Sequence, residues 1–382
     1  MAAAIRLFGP QRTLLSIALV GALLTYGGVS LFVVVFAVYP FAAEMFRQAD
    51  IPKRLIPATL AVGAFSFTMD ALPGTPQIQN IIPTTFFGTT AWAAPILGIV
   101  GSVFILAVGM AYLEWRRRVA QRAGEGYGDP ATLINESAPF TGSALAPTWV
   151  ALLPLLLVFV SNKLFTVGIP HLYGIEHSFA PSVIGTPPPV VHQIEKVTAL
   201  WAVQGALLVG IVSVVLLAWK PVIAQFADGT RAAIAGASLA AMNTASEYGF
   251  GAVIAALPGF LIVANLLGGI GDPLVHQAVT VTGLAGVTGS ASGGLSLALG
   301  AMAPTYIANA EAAGIPMEVL HRVASMASGG MDSLPHNGAV ITLLMVTGLT
   351  HRQAYKDIFA VTLIKTAAVF VVIGVYYATG WV

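Results

Sequence analysis

This 382-residue chain contains no cysteine, which excludes disulfides, thiolate metal sites and thiol catalysis. Charge is nearly as scarce. Asp, Glu, Lys and Arg make up 9% of the residues, against roughly 25% in a soluble domain. The formal net charge is only +1, so nothing in the charge balance points to a nucleic-acid partner. What fills the chain instead is 57% hydrophobic residues, with 40 glycines and 23 prolines. That composition defines an all-α polytopic membrane protein whose lipid partner is the bilayer itself. So much glycine and proline predicts broken helices, because freed backbone groups survive at membrane depth only where protein or a cavity satisfies them. Arg6 and Arg12 precede an apolar run, but no A-x-A cleavage motif follows it, and the run is read as a retained membrane segment.

Scarce charges become landmarks. Met69-Asp70-Ala71-Leu72-Pro73 recurs as Met331-Asp332-Ser333-Leu334-Pro335, 262 residues later. Gly28-Val29-Ser30-Leu31 matches Gly294-Leu295-Ser296-Leu297, and Ile51-Pro52 matches Ile315-Pro316, at offsets of 266 and 264. The ordered matches predict two related units. Arg47, Lys53 and Arg54 surround the first Ile-Pro, whereas Arg322 stands alone near the second. Residues 85–92 carry no base, whereas 351–357 carry Arg352 and Lys356. Opposite charge bias at matching places predicts inverted-topology repeats.

The expected organisation is a first repeat over 1–115 and a cytoplasmic linker over 116–146, entered through Arg116-Arg117-Arg118. Connecting spans with an outer loop follow over 147–220, and a second, inverted repeat over 221–382. Apolar segments fall near 232–244, 248–269, 274–302, 317–331, 335–349 and 357–379; several are short or cut by glycine, which predicts re-entrant hairpins. More than 60 residues separate Arg231 from Gly294, but only 27 precede Gly28. This difference predicts a first repeat shortened at its N-terminus.

An ionisable group at mid-membrane costs at least about 2.5–3.5 kcal/mol, so it marks function or an ion pair. Asp70, Glu247, Asp332 and His336 are the candidates for carrying a coupling proton. The break at Pro335, and its counterpart at Pro73-Gly74-Thr75-Pro76, free backbone groups near the midplane. Gly28, Ser30, Gly74, Thr75, Asn80, Ser292 and Asn337 are candidate substrate contacts around these breaks. Asn243-Thr244-Ala245-Ser246-Glu247 reads as the polar tip of a re-entrant hairpin, adding Asn243 and Thr244. Lys365 is expected to snorkel to the interface, and Asp272 with His276 to form a shallow loop pair. His171, Glu176, His177 and His192 lack metalloprotease spacing, so no metal or cofactor is expected.

Four stretches carry a family resemblance. They are Thr25-Tyr26-Gly27-Gly28-Val29-Ser30, Ala71-Leu72-Pro73-Gly74-Thr75-Pro76, Asn243-Thr244-Ala245-Ser246-Glu247-Tyr248-Gly249, and Ser328-Gly329-Gly330-Met331-Asp332-Ser333-Leu334-Pro335-His336-Asn337-Gly338. In these the chain resembles the gluconate:proton symporters of bacteria, and the resemblance runs over nearly its whole length. It implies an inner-membrane secondary transporter that uses protons to import gluconate or a related sugar acid or hydroxy acid. It also implies inverted repeats, each with a re-entrant hairpin and a broken helix; a homo-oligomer is compatible with it. A passive anion channel keeps the same topology without coupling. A distant alternative is an intramembrane hydrolase using Ser290 or Ser292 with His321 or His336.

Overall fold

Apolar runs become helices here, and prolines and glycines decide where the helices stop. A computed structural model describes residues 12–29, 31–129, 133–136, 147–179, 190–259 and 269–382. The first half contains α1 (Thr13–Tyr26), α2 (Leu31–Gln48), α3 (Ile56–Ala64), α4 (Phe67–Asp70), α5 (Ile78–Phe87) and α6 (Pro95–Arg122). Then come α7 (Thr148–Tyr173), strands β1 (Glu176–Phe179) and β2 (Val190–Gln193), α8 (Ile194–Leu217), α9 (Trp219–Ala224) and α10 (Phe226–Ala256). The chain closes with α11 (Pro273–Thr288), α12 (Ala291–Ala312), α13 (Met317–Ser328), α14 (Gly338–Thr347) and α15 (His351–Thr379). The two strands form an antiparallel ribbon with His177 opposite His192. Among the described residues, four helical stretches are long and apolar enough to cross a membrane: α6, 153–173 of α7, 200–217 of α8, and α15. The chain is an all-α polytopic membrane protein.

The first-half helices recur. α1, α2, α3 with α4, α5 and α6 reappear in the same order as α11, α12, α13, α14 and α15. Both α5 and α14 are 10 residues long, and α6 and α15 are 28 and 29. Gly88 (φ 63°) and Gly348 (φ 65°) end the two short helices in the same left-handed conformation, which glycine adopts at little steric cost. Their orientation follows from contacts between α6 and α15. The Ile96 amide, at the start of α6, donates to the Val382 carbonyl beyond the end of α15 (3.3 Å). Gly101 faces Val372, and Arg116, near the end of α6, bonds Asp357 near the start of α15. Equivalent helices therefore run antiparallel, which places the pseudo-two-fold axis across them, as an inverted repeat requires.

The halves interlock. Val340, Leu343 and Leu344 of α14 are buried among α1, α2 and α3, while Phe67, Ala71, Phe87 and Leu97 are buried among α11, α12 and α13. Small residues bring helices together: Gly63 packs on the Ala18 backbone and Gly294 on that of Ala285, as in membrane bundles generally.

Two expectations are corrected, the match of Gly28 with Gly294 and the hairpin tip at 243–249. Gly28 lies in the turn between α1 and α2, but Gly294 is inside α12; the true counterpart of the first turn is Gly289-Ser290, where α11 gives way to α12. The apolar segment 274–302 is therefore two helices, divided by Gly289 in a left-handed conformation. Residues 243–249 are not a hairpin tip, because α10 is helical through them. No proline occurs between Phe226 and Ala256, and isolated glycines cost a helix only about 1 kcal/mol each.

Candidate functional site

Each unit contains a helix interrupted near its middle. In the first, α3 ends at Ala64, α4 adds one turn to Asp70, and Pro73-Gly74-Thr75-Pro76 separates it from α5. Gly74 has φ 77° and lies against the Trp92 ring, so a side chain there meets both backbone strain and the indole. In the second, α13 ends at Ser328, and 329–337 separates it from α14.

Four charged side chains meet at these interruptions, two acids and two bases. Asp70 and Asp332 are buried, as are Arg322 of α13 and Lys365 of α15. Lys365 Nζ lies 3.0 Å from Asp332 Oδ1 and donates to the Phe65 carbonyl at 2.6 Å. Ser333 donates to the same Asp332 oxygen (2.9 Å). Gly329 lies between the Asp70 carboxylate and the Lys365 stem, and only a hydrogen in place of a side chain leaves room for both. Asp70 Oδ2 is buried and has no hydrogen-bond partner.

Arg322 is fully buried. Its guanidinium donates to the Ala93 carbonyl (3.2 and 2.6 Å), the Asp70 carbonyl (3.2 Å) and Asn80 Oδ1 (3.0 Å). Ser325 also caps the Asp70 carbonyl (2.7 Å). The Asn80 amide donates to Thr75 and Ala91 carbonyls (3.0 and 2.8 Å), and His321 bridges Asn80 Oδ1 (3.2 Å) and Thr89 Oγ1 (2.6 Å). Such a network satisfies backbone groups that an interrupted helix would otherwise leave unpaired.

Several sequence candidates hold the fold. Asn337 caps α14, accepting from the amides of Ala339 and Val340 (2.6 and 3.1 Å) and donating to Gly289. Thr75 donates to the Thr68 carbonyl (2.6 Å). Gly28 packs against Leu207 and Pro76. Ser292 is buried beside Ser290 (3.4 Å) at the start of α12. His336 is exposed, against Gly289. Ser30 and the side chains of Asn243, Thr244 and Glu247 lie outside the described residues.

Other residues depart from expectation. Lys365 does not snorkel: α15 starts at His351, where Thr350 and Gln353 form a capping box, so Lys365 is four turns deep. Arg322, counted above as the lone base near the second Ile-Pro, is a buried charge. Asp272 caps α11 through the Val275 amide (2.8 Å), while His276 is buried edge-on to Tyr306 (5.4 Å between centroids). No sequence pattern flagged Gln79 and Gln277, both buried. Gln79 Oε1 and both polar side-chain atoms of Gln277 have no partner.

At one end of the molecule a second charge cluster ties the units together. Asp357 bonds Arg54 (3.0 Å), Arg116 (2.5 Å) and Tyr112 (2.8 Å). Arg54 also grips Glu125 (2.6 and 2.7 Å), and Glu136 takes Arg47 and Lys53 (both 2.7 Å). Burial raises the Glu136 carboxyl, but hydrogen bonds from Lys53, Arg47 and Tyr127 outweigh it and hold it below its ordinary value. The hydrogen bond from Arg54 likewise lowers Glu125.

Inverted repeats, interrupted helices and buried compensating charges together define a membrane transporter. The chain is 57% identical, over 99% of its length and 81% of the relative's, to a Bacillus subtilis (strain 168) protein described as the uncharacterized transporter YxjC. The chain belongs to that transporter family. No known family profile matches it.

Proposed function

We propose that the chain is a secondary active transporter that moves a small organic anion together with protons across the bacterial inner membrane. Gluconate, or a related sugar acid or hydroxy acid, is the substrate class. The observation that carries the reading is charge balance at the two interrupted helices. Asp70 and Asp332 offset Arg322 and Lys365, so an arriving carboxylate adds one uncompensated negative charge. An uncompensated charge is costly in a buried site, and one proton taken up with the anion removes it.

Asp70 is the group placed to take that proton. Its Oδ2 has no partner, whereas Asp332 is held by Lys365 and Ser333. The proton neutralises Asp70 and leaves the positive field of Lys365 and Arg322 for the substrate carboxylate. The unpartnered Gln79 Oε1 and the unpartnered amide of Gln277 suit a ligand rich in hydroxyls, since each buried polar atom without a partner costs about 1–3 kcal/mol. The basic end containing Arg47, Lys53, Arg54, Arg116, Arg352 and Lys356 is the cytoplasmic one by the positive-inside rule.

His321, one of the two bases the hydrolase reading names, is engaged by Thr89 and Asn80. A channel differs from a symporter in one measurable way, since it cannot concentrate its substrate. Purified protein in liposomes with an inward proton gradient should accumulate gluconate, and a protonophore should collapse the accumulation. Simple equilibration would favour the channel.

A further inference from the structure

The buried cations bond to an unusual class of partner. Among the described residues, every hydrogen bond of Arg322 and Lys365 except that to Asp332 goes to an uncharged oxygen of the first unit, at the interrupted helix, in α5 or in the loop before α6. These oxygens are the carbonyls of Phe65, Asp70 and Ala93 and the amide oxygen of Asn80. Unwound carbonyls and half-helix C-terminal ends are the ligands with which transporters hold coupling sodium ions. Hard alkali and alkaline-earth cations take such oxygens generally. Here each carbonyl is already filled by a cation fixed to the chain.

Among the described residues, the first unit supplies no such cation itself. α3 contains no charged residue. Counting from the helix starts, the α6 position that corresponds to Lys365 of α15 is Gly109, which packs against Val62. Both cations come from the second unit and cross to the first.

We infer that Arg322 and Lys365 are tethered substitutes for coupling metal ions, so that transport is independent of sodium. The inference rests on the transport reading above and deepens it. A guanidinium or ammonium that cannot leave fills the carbonyl cages throughout the cycle, and the proton remains the one mobile cation.

The test uses the full chain and two readouts. In the first, the melting temperature of purified protein is compared in sodium chloride and choline chloride at equal ionic strength. Wild type should respond equally to both. Lys365→Ala opens the cage at Phe65 and Asp332, and sodium should raise its melting temperature above the choline value by about 4 °C or more. In the second, gluconate exchange by wild-type proteoliposomes should run at the same rate with and without sodium.

Sodium stabilisation of wild type, or exchange that rises about tenfold or more with sodium, would overturn the inference. So would a folded Lys365→Ala with no sodium response. If Lys365→Ala does not fold, the wild-type comparison decides alone. Absence of gluconate exchange in both media would defeat the transport reading instead, and the melting comparison would still decide the cation question.

Discussion

The two interrupted helices share an architecture but not an electrostatics. At the first, backbone carbonyls are capped by cations from the opposite unit, and the local acid, Asp70, keeps one oxygen unpartnered. At the second, the carbonyls of Ser333 and Pro335 are capped by Tyr355 (3.1 Å) and His351 (2.8 Å) from the next helix. There Asn337 caps α14, and the acid Asp332 is held by Ser333 and Lys365. Duplication supplied the backbone and its acid twice, while the buried cations were placed once. A symmetric frame with asymmetric charges lets one acid act as a fixed counter-ion and the other as the group that changes state.

Breaking the pair at the second interruption should have the largest effect. Lys365→Met or Asp332→Asn leaves one buried charge alone, and each should lower stability by about 3–5 kcal/mol and abolish gluconate accumulation. Denaturation of the double variant should recover much of that loss, because the two residues act as a unit. Full additivity would mean that the pair is not coupled.

The caps at the first interruption come next. Arg322→Lys keeps the charge but loses the fork that holds Ala93, Asp70 and Asn80 together. It should cost about 1–3 kcal/mol for each carbonyl left unpaired, read as a lower melting temperature. Gly74→Ala meets the Trp92 ring and an unfavourable φ, and should cost about 1 kcal/mol or more; the matching break has no such glycine. A neutral result would show that the first interruption is looser than its contacts imply.

The smallest effect belongs to the basic end, where Glu136 and Arg47 keep partial contact with water. Glu136→Gln should cost about 1 kcal/mol or less. The Glu136 carboxyl lies below its ordinary value of 4.5 when folded. Its contribution is therefore present above that value and lost as pH falls through the folded one. The wild-type melting temperature should drop on acidification more steeply than that of Glu136→Gln.

Much of this frame is legible in the chain. Pro73 and Pro335 mark the interruptions because proline removes a donor and cannot sit quietly inside a helix. The uneven distribution of Arg and Lys announces the inversion, although Arg322, one of the residues used, is itself buried. The pairings are not legible. Arg322 bonds to carbonyls more than 200 residues away, and a backbone acceptor leaves no trace in side-chain pattern. Lys365 is misplaced by an apolar run that begins near 357, whereas the Thr350–Gln353 box starts the helix earlier. Asn337 is recognisable as a polar residue at a break, but its amide serves the helix start rather than a ligand. Residues 243–249 suggest a tip by polarity alone, while helix continuity depends on backbone breakers, and they hold no proline and only the single Gly249.

The central claim is that Asp70 takes up the proton that accompanies the anion. Its most direct test is gluconate transport by Asp70→Asn in proteoliposomes, measured both as exchange and as accumulation against an inward proton gradient. Exchange should persist while accumulation is lost, because an amide beside Lys365 and Arg322 is permanently neutral. Accumulation equal to wild type would contradict it.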